Sequence, residues 1–118
     1  MPTIDIEENY TPATVNTTDL TRATAARFVE HFGAERVREV RPIMAGEDFS
    51  QFHLADRNIE SLIFWVGGVP QEQYDRAQRE GTVLPSLHSP FWAPEPDATI
   101  STAVEALVVA SLGVLGRR

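Results

Sequence analysis

No cysteine occurs in the 118 residues, so neither a disulfide framework nor a thiolate metal site is available. Lysine is absent too: all ten basic residues are arginines, scattered from Arg22 to Arg79 with two more at the terminus. Against them stand seventeen acids, a formal charge of -7. With no concentrated positive field, nucleic acid is excluded as an expected partner, and so is an anionic membrane surface. The N-terminus "MPTIDIEENY" has no basic segment leading into an apolar core, and we expect no apolar run near the roughly 20 residues of a membrane span. A cytoplasmic location is the default expectation.

Signatures of self-contained catalysis are missing as well. There is no HExxH, no GxSxG elbow, no phosphate loop and no dinucleotide fingerprint. The three histidines, His31, His53 and His88, stand 22 and 35 positions apart. That spacing does not converge on a metal, since a catalytic zinc usually takes three protein ligands plus water.

What is present suits one packed domain: 42% hydrophobic and 8% aromatic residues in a chain of single-domain length. Ile4 and Ile6 alternate with acids and predict a half-buried strand. "TTDLTRATAARFVEHFG" predicts a helix, with Thr17 or Thr18 as cap, Asp19 in the first turn and Gly33 at the end. Leu20, Thr24, Phe28 and Phe32 recur every four residues on its apolar face. "ERVREVR" reads as a short strand and "IMAGEDFSQFHLAD" as a loop and short helix. "SLIFWVGG" predicts an inner strand buried on both faces. From Val69 to Pro96 loop predominates, with a turn of helix at "QEQYDRAQRE". A closing helix starts near Asp97 and carries Ile100, Val104, Leu107, Val108, Leu112 and Leu115 at i, i+3, i+4 spacing. The expected fold is α/β, an incomplete sheet flanked by helices. An inner strand needs neighbours for its peptide groups, and this chain offers few.

Two stretches carry candidate chemistry. His88 sits in "LPSLHSPFWAPEPD", where prolines at 85, 90, 94 and 96 stiffen the backbone. In "MAGEDFSQF", Gly46, Glu47 and Asp48 read either as a helix start, where acids favour the first turn, or as a pocket wall facing a substrate. His31 suits the C-terminal end of its helix, and His53 suits a bond to a backbone carbonyl.

In order, "YTPATVN", a helix, "PIMAGEDFSQF", an apolar strand ending in glycine, "LHSPFW" and a closing amphipathic helix resemble the C-terminal part of the metal-dependent amidohydrolases. These are the hippurate hydrolases, aminoacylases and indole-acetyl-amino-acid hydrolases of metallopeptidase family twenty. The likeness runs from Ile4 to Leu115, and its most specific part is "GEDFS" followed about 40 residues later by "LHSP". It implies the C-terminal portion of a di-metal aminopeptidase-like catalytic domain over residues 11–118, with residues 1–10 as the last strand of a lid domain that dimerises. It further implies a divalent metal (zinc, manganese or cobalt) with His88 as one ligand, and Gly46, Glu47 and Asp48 near an N-acyl amino acid substrate. The remaining ligands and the glutamate base belong to a region absent from this sequence. No catalytic residue is therefore assigned, and the isolated chain is expected to be inactive, associating with the missing portion or with itself. The alternative is a non-catalytic interaction module or one subunit of a split enzyme.

Overall fold

A computed structural model describes residues 2–5 and 10–116. They form four α-helices and one 3-10 turn: α1 (Thr18–Phe32), the turn Ala34–Arg36, α2 (Ser50–Ala55), α3 (Gln71–Glu80) and α4 (Pro96–Leu115). The chain divides into two compact units, Met1–Ile63 and Phe64–Arg118. That division lies within the stretch 11–118 that the sequence reading treats as one piece.

The expected α/β architecture is not found: no strand or sheet occurs among the described residues. "SLIFWVGG" runs without regular structure, as does "ERVREVR" beyond the 3-10 turn. The predicted opening strand falls partly on residues 6–9, outside the described residues, and Ile4 is neither in a strand nor buried. The physical reason is pairing. An apolar strand is stable only when neighbouring strands take up its peptide groups, and side chains do that work here.

In the first unit, Asn16 Nδ2 donates to the Ile63 carbonyl at 2.8 Å while the Ile63 N–H donates to Asn16 Oδ1 at 2.8 Å. One side-chain amide thus makes the pair of bonds a neighbouring strand would make. At Ser61, the Thr17 N–H donates to the carbonyl at 2.8 Å, and the Ser61 N–H donates to Thr17 Oγ1 at 3.2 Å. Thr17 occupies the N-cap position of α1, yet its hydroxyl makes no cap bond to that helix. The expected cap residue is in place, but its oxygen is turned to the 59–63 segment.

Helix ends otherwise follow local rules. Gly33 ends α1 at φ 91, and its N–H donates to the Val29 carbonyl at 3.0 Å. Gly81 ends α3 in the left-handed region at φ 65, with the Thr82 N–H reaching the Ala77 carbonyl at 3.0 Å; glycine meets both positions without a Cβ penalty. α4 begins with Pro96 in its first turn, behind Glu95, whose carboxylate accepts the Asp97 N–H at 3.3 Å and the Ala98 N–H at 2.6 Å. Around α3, "QEQYDRAQRE" extends the anticipated single turn to ten residues.

Little is buried. Ala77 and Ala106 are the buried apolar residues among those described, and no large side chain is fully enclosed. The accessible surface is 10259 Å², against roughly 6,400 Å² for a compact monomer of this mass and about 7,700 Å² for two separate compact halves. The excess therefore does not depend on how the units are disposed. α4 also corrects the expectation about apolar length: its 20 residues suffice to cross a membrane by length and composition alone, and 11% of the span is buried. Alanine, glycine and hydroxyl residues extend the Val and Leu positions, with Glu105 the single charge after Asp97.

Candidate functional site

His88 lies in the second unit, on two consecutive turns. The Ser89 N–H donates to the Ser86 carbonyl at 3.0 Å, placing Leu87 and His88 at the centre of the first. Second comes a turn through Pro90, in which the Trp92 N–H reaches the Ser89 carbonyl at 3.1 Å and the Phe91 N–H reaches Ser89 Oγ at 3.2 Å. His88 has φ 68, making it the one positive-φ residue other than glycine among those described. A positive φ at the third position of such a turn normally calls for glycine or asparagine. Histidine tolerates it better than most side chains, at a cost of about 1 kcal/mol or more. The imidazole is exposed.

The loop carrying His88 is anchored at its far end. The Glu95 N–H donates to the Gly68 carbonyl at 2.9 Å. A Cβ on Gly68 would sit 3.0 Å from Pro94 Cβ and 3.3 Å from Trp92 Cζ2. Glycine at 68 thus allows the proline-rich segment to lie directly against the end of the apolar stretch.

Gly46, Glu47 and Asp48 belong to the first unit and form the entry to α2. Glu47 Oε1 accepts the Phe49 N–H at 3.1 Å, and the Asp48 carbonyl accepts the Gln51 N–H at 2.9 Å. Both acids thus precede α2, whose first turn holds no acid and whose N-cap is Phe49. Gly46 has open space where a Cβ would stand. Glu47 is half-buried, whereas Gly46 and Asp48 are exposed.

The other histidines take structural roles. His53 Nδ1 is 2.7 Å from the Ile59 carbonyl, closing the loop after α2. His31, in the last turn of α1, meets the Phe32 ring edge-on at 4.6 Å. No group of three or more His, Asp or Glu side chains able to hold a metal occurs among the described residues. A divalent metal therefore does not fit as a centre made by this chain's described residues, and no reaction step is derived through one. Positioning residues missed by sequence reasoning are Asn16 and Ser89, and Thr17, expected as a cap, was not expected to pair with Ser61. Ser89 had a readable signal, a hydroxyl directly before proline; the pairing of Asn16 with Ile63, 47 positions away, had none.

Comparison with protein-family models, with curated proteins and with solved structures finds no match.

Proposed function

We propose that this chain is the C-terminal segment of a metal-dependent amidohydrolase acting on N-acyl amino acids, to which it supplies His88 as one donor. In this reading Gly46, Glu47 and Asp48 belong to the loop near the substrate, and the chain alone does not hydrolyse. The observation that carries it is the left-handed, solvent-facing His88 between two turns. Glycine or asparagine would suit that backbone better, so an imidazole kept there points to work done by the ring.

Hydrolysis of hippurate and N-acetyl amino acids tests this, with zinc, manganese or cobalt added. The chain by itself should give none, and calorimetry should show weak zinc binding that His88→Ala removes. Joined to the coding sequence upstream of it, the protein should hydrolyse, and His88→Ala should abolish that activity. Turnover by residues 1–118 alone, or tight stoichiometric zinc binding that survives His88→Ala, overturns the proposal.

A second reading, a non-catalytic interaction module, draws on the large apolar side chains left in water, among them Met44, Val83, Phe91 and Ile4.

A further inference from the structure

α4 has two apolar faces of different kinds. Thr99, Ala103, Ala106, Ala110 and Gly113 recur at three- and four-residue steps, and all are buried or half-buried. This small-residue face is the one the chain covers. Ile100, Val104, Leu107, Val108, Leu112 and Leu115 recur at the same steps on the other side, between 50% and 69% exposed. Val109 is the one bulky residue of α4 that is half-buried, so the usual arrangement, bulky residues inward and small or polar ones outward, is largely inverted. Six such side chains expose on the order of 700 Å², above the largest patch of a typical monomer and close to the roughly 800 Å² per partner of a standard interface.

We infer that the outward stripe of α4 is a homodimer seam, covered by α4 of a second copy running antiparallel. The stripe spans residues 100–115, so a two-fold axis beside Leu107 and Val108 sets Ile100 against the partner's Leu115 end and Val104 against its Leu112 region. Charge selects the direction. α4 starts with Glu95 and Asp97, and Arg117 and Arg118 follow it in the sequence. Antiparallel pairing keeps the two acidic starts at opposite ends of the seam. It also opposes the helix dipoles and offsets the two Glu105 residues by about 7 Å along the axis. A parallel pair would set the acidic starts side by side on chains that already carry -7 each. A bilayer is the weaker occupant, because Glu105 near the middle of the helix would cost about 3 kcal/mol there. The inference takes from the interaction-module reading the exposure of apolar faces, and it makes no use of His88.

A chain without cysteine permits a direct test. Sedimentation equilibrium of the full chain should give a dimer at micromolar concentration. Val108→Cys should cross-link to itself with a short bismaleimide. Ile100→Cys should not, because its copies stand about 22 Å apart along the seam, but mixed with Leu115→Cys it should. Leu107→Glu should weaken the dimer by on the order of 100-fold, since each copy would bring an unpaired carboxylate into the seam, with helix content by circular dichroism retained. A monomer across the concentration range overturns the inference, as does self-cross-linking of Ile100→Cys equal to that of Val108→Cys. Flotation of the chain with phosphatidylcholine vesicles, lost in Leu107→Glu, assigns the stripe to lipid and overturns it too. Dimerisation of the unaltered chain, with no hydrolysis once it is joined to its upstream coding sequence, would sink the amidohydrolase reading and leave this inference standing.

Discussion

His88 is where backbone and side chain pull in different directions. Its φ of 68 is a conformation glycine adopts freely, and the bond from the Ser89 N–H to the Ser86 carbonyl holds it there. His88→Gly should therefore stabilise the chain by about 1 kcal/mol in urea titration while removing the only side chain proposed to reach a metal. A destabilised His88→Gly chain would mean that the imidazole itself supports the loop. The constraint on its loop was legible in the sequence from the prolines around it. Its strain was not, because φ is set by the turn bonds at Ser86 and Ser89. Glu47 shows the converse: both readings of its carboxylate were open in the sequence, and the structure engages one oxygen with the Phe49 N–H.

Among the elements, helices formed where sequence periodicity and end signals agreed, as in α1 and α4, and the anticipated strands did not form. Residues 61–68 have the composition of a strand, but a strand is a property of two segments. With Asn16 and Thr17 as partners at Ile63 and Ser61, the segment is held without a ladder. Asn16→Ala should accordingly leave the Ile63 N–H and carbonyl to solvent, since both bonds are exposed, and cost about 0.5–1.5 kcal/mol by thermal or urea unfolding. A loss near zero would show that solvent serves those groups equally well. α3 was the underestimated element. Its polar composition offers few apolar periodicities, and it is the left-handed Gly81 that ends it cleanly.

For the molecule as a whole, area is the decisive quantity. Folding as described leaves 10259 Å² in water, so unfolding exposes about 23% less new surface than for two separate compact halves of this mass. The urea m-value of the monomeric Leu107→Glu variant should fall by a similar fraction, since m scales with the area exposed. An m-value typical of a compact 118-residue domain would show that the free chain buries more than the structure does. What the sequence determined unaided was local: where α1 and α4 lie, that Gly33 ends α1, and which loop is stiffened by proline. Those properties depend on neighbours within a few residues, where propensity, capping and charge act directly. Tertiary structure alone decided that the apolar segment 61–68 has no sheet, that Thr17 serves Ser61 instead of its own helix, and that α4 turns its small residues inward. Each depends on what the rest of the chain brings alongside, and burial and hydrogen-bond partners are settled by contact across the fold.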